Sequence, residues 1–278
     1  MTCLLDGRLL AARLEARLAP RAARVAMRLG RVPTLVSVLD GAHAASRRQA
    51  ALKAAAAERA GMRVLVEALQ PESDTQATST VLERLATDPG VDGILLQYPL
   101  PAAVDGDAAA AALAPDKDLD VSGPAALARF AAGGPAPAAA AALMALFRHY
   151  GIHVAGLPTL VVGRGTLHDQ PFAVRLRRAG ARVACVPPDD PALPAQLGTA
   201  RLVVAAVGSP GAVAARHLQP GTVLVDAGYF NAGGLGDVDL TDAPPLHALV
   251  PAPGGIGPMT VAVLLTRTLR AAEHSPRA

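Results

Sequence analysis

Short apolar runs alternate with alanine-rich helical stretches along the whole chain, and that alternation dictates parallel sheets joined by crossover helices. Strand candidates in the first half are residues 34–39, 64–69 and Gly93–Gln97; in the second they are 159–162, Arg182–Val186, 202–207 and 222–225. Helical segments such as 42–60, 80–86 and 172–179 lie between them. A Gly/Pro/Ala stretch at 131–137 is the natural seam between two units, and a last helix over about 258–272 follows a glycine-rich turn. The expected fold is α/β and two-lobed, with a cleft between the lobes.

With 278 residues, each lobe can bury a core of its own. Apolar residues make up 51% and charged ones 18%, which describes a compact chain and not a disordered one. The formal charge of +3 is scattered, with no basic stripe interleaved with aromatics, so nucleic acid is not an expected partner. Cys3 and Cys185 make no disulfide framework, and neither they nor the dispersed histidines have metal-ligand spacing, so no metal is expected. The longest stretches free of Asp, Glu, Lys and Arg, 243–266 and 130–147, are broken by prolines and glycines, so no membrane span is expected. Met1 to Arg8 lacks a secretory pattern, and the cytoplasm is the expected compartment.

Only two lysines occur, Lys53 and Lys117, against 24 arginines. Lysine is compact and can lose its proton when desolvated, as arginine cannot. A lysine in so arginine-rich a chain either marks a place where guanidinium fails or is a chance surface survivor. Ser46, Gln49 and Lys53 stand at i, i+3 and i+7 and share a helix face, amid Ala50, Ala51 and the alanines at 54–57, which leave room for a ligand. Gln97 projects from the carboxyl end of a buried strand, where α/β folds place ligands. Lys117 lies in a loop of alternating charge and reads as an ion-pair partner.

Four segments are specific together: Asp92-Gly93-Ile94-Leu95-Leu96-Gln97-Tyr98-Pro99-Leu100-Pro101, Pro115-Asp116-Lys117-Asp118-Leu119-Asp120, Ala205-Ala206-Val207-Gly208-Ser209-Pro210 and Pro253-Gly254-Gly255-Ile256-Gly257-Pro258-Met259-Thr260. In order and spacing, almost end to end, they resemble the bifunctional methylenetetrahydrofolate dehydrogenase/cyclohydrolase family. The resemblance implies a folate-binding lobe (1–137, with helix 258–278 packing back on it), a Rossmann-like NAD(P) lobe (138–257) and a homodimer. It implies oxidation of methylenetetrahydrofolate with NAD(P), then hydrolysis of the methenyl product to formyltetrahydrofolate. Lys53 matches the family's catalytic lysine and Gln97 the glutamine bonded to it. Asp120 matches the pterin-binding aspartate, while Tyr98, Pro99, Gly254, Gly255, Gly257 and Pro258 fall on the folate site. Gly163, Arg164, Gly165, Asp189, Val207 and Gly208 fall on the cofactor site.

The pattern breaks at definite places. Gln49 stands where the family has a tyrosine, so a stacking ring is exchanged for a hydrogen-bonding amide. Val121 and Ala126 replace a glycine and an asparagine, and Pro137-Ala138-Ala139-Ala140 replaces Pro-Cys-Thr-Pro. In the phosphate loop, Gly163-Arg164-Gly165-Thr166-Leu167-His168-Asp169-Gln170-Pro171, Asp169 takes a glycine's place; as a helix N-cap its charge would repel pyrophosphate. The segment that grips the extra phosphate of NADP becomes Pro187-Pro188-Asp189-Asp190, and an acid there suits a ribose hydroxyl. The expectation is folate chemistry at Lys53 with NAD or NADP binding weak or absent, NAD being favoured over NADP. The alternatives are a repurposed methylene-transfer enzyme, using space opened at 138–142, and a non-catalytic folate-binding paralogue.

Overall fold

The computed structural model describes residues 2–165, 169–228 and 236–275. In chain order the first elements are β1 (Cys3–Leu4), α1 (Gly7–Leu29), β2 (Thr34–Asp40), α2 (Ala44–Arg59), β3 (Arg63–Leu69), α3 (Thr75–Thr87) and β4 (Gly93–Gln97). There follow α4 (Gly106–Ala110), α5 (Pro124–Ala131), α6 (Ala138–Tyr150), β5 (Pro158–Val162), α7 (Gln170–Arg178), β6 (Arg182–Val186) and α8 (Leu193–Leu197). The last are β7 (Leu202–Ala205), β8 (Val213–Ala214), β9 (Val223–Asp226), β10 (Val238–Asp239), β11 (Ala248–Val250) and α9 (Ile256–His274). The chain divides into two compact units, Ala11–Ala138 with Val261–Ala278, and Met1–Leu10 with Ala139–Thr260. Among the described residues, no helix is long and apolar enough to cross a membrane.

The unit built on Ala11–Ala138 holds a parallel sheet of order β3-β2-β4. Its middle strand is apolar on both faces because both are covered. Val36 and Val38 pack with Leu82 and Leu85 of α3, while Leu35 and Leu95 pack with Leu119 and with Leu264 of α9. Outside these, α1 and α9 close on Ala56, Ala57 and Ala60. Of the α2 alanines that the sequence suggested leave room for a ligand, Ala50, Ala56 and Ala57 are buried, Ala54 is half-buried, and Ala51 and Ala55 are exposed. Helix α2 starts at 44 because the His43 ring accepts the Ser46 N–H, and α3 starts at 75 because Asp74 accepts the Ala77 N–H.

The charged loop is laid along β4. Ile94 N–H donates to Lys117 O (2.7 Å) and Leu119 N–H to Ile94 O (3.3 Å), a parallel bridge that continues the sheet. Gly93 makes this approach feasible: a Cβ there would collide with the Leu119 side chain. Asp118 accepts the amides of Ser122 and Gly123 (2.9 and 2.7 Å). Between these anchors Val121 sits at φ +60°, a left-handed conformation that costs a β-branched residue about 1–2 kcal/mol. Lys117, expected as an ion-pair partner, makes no ion pair among the described residues: its Nζ donates to the carbonyls of Leu85 and Asp88 (3.2 and 2.7 Å), satisfying the end of α3.

The other unit carries an all-parallel sheet of order β1-β11-β9-β7-β5-β6. Residues 1–10, expected with the first lobe, belong here because β1 pairs with β11. Strand β7 ends at Ala205, short of the expected 207, because the amides of Val207, Gly208 and Ser209 turn onto the Asp237 carboxylate (2.6, 3.2 and 3.0 Å). Asp226 in turn accepts the amides of Gly228, Asp237 and Val238; burial outweighs these bonds and lifts its carboxyl to about 6. The alanines at 138–142 begin α6, and Ala138, Ala140 and Ala142 are buried. Those three fill core, while Ala139 and Ala141 are half-buried.

Asp92, whose side chain is fully buried, ties β2 to β4: it accepts both guanidinium nitrogens of Arg31 (2.7 and 2.8 Å) and the Thr34 amide (2.8 Å). Asp92→Ala strands these donors and should cost about 3–5 kcal/mol. Arg129→Ala, which breaks a bridge to the exposed Asp116, should cost under about 1 kcal/mol. Urea unfolding midpoints at unchanged m-value give the comparison.

Candidate active site

Gln97 is the last residue of β4 and buried, and both ends of its amide are used. Its Nε2 donates to Ser46 O in the first turn of α2 (2.8 Å). Its Oε1 accepts Lys53 Nζ, two turns further on, at 2.7 Å, and Ser37 Oγ of β2 at 3.3 Å. Ser46 O and Ser37 O–H accordingly fix which end of the amide faces the lysine. Ser37 is missing from the sequence reading, yet it left a signal, since it interrupts the otherwise apolar run Leu35-Val36-Ser37-Val38-Leu39.

Lys53 is 8% exposed, and its pKa falls to about 8, driven by desolvation and opposed by the charge of Asp120. The folded value lies below the unfolded one. Its burial cost is thus fully present below pH 8 and is relieved as pH rises through 8 to 10.5. Near neutral pH a fraction of Lys53 is a free amine held by a hydrogen-bond acceptor, the condition for a general base. Gln49 lies one turn before it on α2, half-buried.

Asp120 is half-buried and accepts the Ala138 amide at 2.9 Å. Desolvation pushes its carboxyl up, against the pull of that amide, Arg267 and Lys53. Lys53, Gln97, Gln49 and Asp120 all belong to one unit. Tyr98 and Pro99 follow Gln97 directly; the peptide between them is cis, and the Tyr98 hydroxyl donates to Gly106 O (3.1 Å).

Gly254, Gly255, Gly257 and Pro258 lie in the other unit, where Gly7 N–H donates to Gly254 O (2.9 Å) and the Arg8 guanidinium lies against Gly254. Gly163, Arg164 and Gly165 follow β5, while Thr166, Leu167 and His168 lie outside the described residues. Asp169 is buried, but among the described residues its side chain makes no capping bond to α7. It turns the other way and accepts the Gly165 amide (2.9 Å), its Cβ packed against Gly163. The expected N-cap is thus a loop tie. Asp189 is exposed beyond the end of β6, and Val207 and Gly208 are held by Asp237.

Two family models match this chain: the catalytic domain of tetrahydrofolate dehydrogenase/cyclohydrolase over residues 5–120, and its NAD(P)-binding domain over residues 137–276. The chain belongs to the tetrahydrofolate dehydrogenase/cyclohydrolase family. It is 41% identical to the bifunctional protein FolD of Synechococcus sp. (strain RCC307), over 96% of this chain and 94% of that one. The bifunctional FolD of Campylobacter jejuni shares its fold at TM-score 0.91 and 28% identity, over 98% of this chain and 99% of that one. The Trypanosoma brucei methylenetetrahydrofolate dehydrogenase-cyclohydrolase, solved with NADP and an inhibitor, matches at TM-score 0.91 and 28% identity, over 100% and 99%. This family member is a FolD-like enzyme of tetrahydrofolate one-carbon metabolism, with an NAD(P)-binding domain.

With only two lysines in the chain, lysine-selective NMR observes each amine separately. Lys53 should titrate near 8, and Asp120→Asn should move that midpoint lower, because the lost carboxylate is what raises it. Lys117→Arg assigns the second signal.

Proposed function

We propose that this enzyme hydrolyses methenyltetrahydrofolate at Lys53, and that its hydride-transfer half is weakened. The hydrogen bond from buried Lys53 to Gln97 carries this reading. As water attacks the cationic methenyl carbon, a C–O bond forms and the neutral Lys53 amine takes the water's proton. One carbon–nitrogen bond then breaks as the new hydroxyl gives up its remaining proton to solvent and becomes the formyl carbonyl; Lys53 returns its proton to the departing ring nitrogen, and formyltetrahydrofolate and one released proton remain. Gln97 holds the amine in place. Asp120 accepts the amino and ring N–H groups of the pterin, and Gln49 offers an amide where the family offers a ring. On the family pattern Tyr98 and Pro99 serve folate binding, as do Gly254, Gly255, Gly257 and Pro258.

The weakened cofactor site rests on charge. A pyrophosphate needs free amides and no nearby anion. The Asp169 carboxylate instead takes the Gly165 amide beside Gly163, in the loop that should receive the phosphates. Asp189 and Asp190 follow β6, where an acid suits a ribose hydroxyl and opposes a 2′-phosphate. Arg164, Val207 and Gly208 complete a site that we read as favouring NAD over NADP and binding either weakly. We further propose a cytoplasmic homodimer. Edge strand β3 exposes Leu65 and Val66, which a second copy would cover; light scattering at working concentration tests it.

One preparation decides the main reading. Methenyltetrahydrofolate decay should be catalysed, rise with pH toward a plateau above about 8, and fall by about 10²–10⁴ in Lys53→Met. Calorimetric titration of NAD and NADP should show weak binding that Asp169→Gly strengthens. Tight NADP binding by the unaltered protein would overturn the weakened-site half, and absence of hydrolysis the other.

A further inference from the structure

Arg267 takes no part in the chemistry above, yet it reaches from α9 to both chain segments that hold Asp120. Its Nη1 donates to Leu119 O, the residue before Asp120, at 2.6 Å, and its Nη2 donates to Ala136 O. Asp120 spans the same two segments through Ala138 N–H at 2.9 Å. Immediately after Asp120 comes Val121 at φ +60°, a conformation that persists only where its surroundings over-determine it. Asp118 holds the far side of that residue through Ser122 N–H and Gly123 N–H, and Arg267 holds the near side through Leu119.

We propose that Arg267 is a positioning residue for the folate-binding carboxylate, fixing where Asp120 points by clamping Leu119 and Ala136 to the last helix. The inference rests on the folate role of Asp120 given above. The planar fork suits the task, because one guanidinium serves two carbonyls at once, whereas a lysine ammonium is a point donor on a flexible stem. Charge supports the placement. Asp118, Asp120, Lys53 and Arg270 are the other charged groups acting here, and the pull of Arg267 on Asp120 opposes the desolvation that favours its neutral form. With Arg267 gone, Val121 can relax and swing the neighbouring carboxylate away, while Lys53 and Gln97 on α2 and β4 stay bonded.

The test is a cycle of Arg267→Met, Asp120→Asn and the double variant, assayed with methenyltetrahydrofolate at a temperature where thermal melts show all three folded. Arg267→Met should raise KM at least about tenfold with kcat within roughly threefold, the mark of a lost binding contact. The double variant should have the KM of Asp120→Asn alone, since a carboxylate that is absent cannot be misplaced. If the two changes multiply, or if Arg267→Met lowers the melting temperature while KM stays put, the inference fails. Should Arg267→Met not fold, Arg267→Lys carries the same cycle, with a smaller KM rise that must also vanish on Asp120→Asn. The unaltered protein separates the two claims: if it neither binds nor hydrolyses methenyltetrahydrofolate, the folate reading falls and takes this proposal with it.

Discussion

The orientation of one side-chain amide governs the rest of the site. Gln97 is delivered by a strand buried on both faces, and its amide bonds join β4 to two separate turns of α2. Were the amide reversed, its NH2 would face Lys53 and its oxygen would face Ser46 O, exchanging two bonds for two repulsions. The donor from Ser37 and the acceptor at Ser46 forbid that reversal. A lysine with a depressed pKa needs such a partner, because an acceptor serves the amine in both protonation states, where a carboxylate would hold it charged.

Aspartates do much of the remaining work on the backbone. Asp92, Asp118, Asp120, Asp226 and Asp237 each accept at least one main-chain amide, most of them from loops that a sheet ladder cannot reach. A carboxylate placed among such amides is well satisfied, and it also occupies ground that an external anion would need. In the loop after β5 the same device ties the Gly165 amide to Asp169.

Much of the architecture was legible in the chain because sheet-forming runs carry their own signal. Gly93–Gln97 and Arg182–Val186 stand at the expected bounds, and the parallel pairing follows from the helices between them. What sequence concealed are interactions across long separations. Asp237 stops β7 from 30 residues away, and Arg267 meets Leu119 from 148 away. No local pattern encodes either. The Asp169 side chain was misassigned for a related reason: an Asp two residues before a proline is a good N-cap signal, but its carboxylate had a closer amide upstream. Lys117 misled because its acidic neighbours in the loop suggested ion pairs, whereas the carbonyls it meets lie at the end of α3.

The arginine bias of the composition takes on physical meaning in this light. Arg31 forks onto Asp92, Arg28 onto the last carbonyls of α9, and Arg267 onto Leu119 and Ala136. Each uses the planar, permanently charged guanidinium to serve two or more acceptors, and at each a lysine would do less. Lys117 shows that lysine can also bridge two carbonyls, so bridging alone does not explain its retention. Lys53 differs from all of these in having one acceptor and a proton it can give up near neutral pH. Among the described basic residues it alone combines exposure below a tenth with a pKa brought down to about 8, and no arginine could stand there without remaining a buried cation.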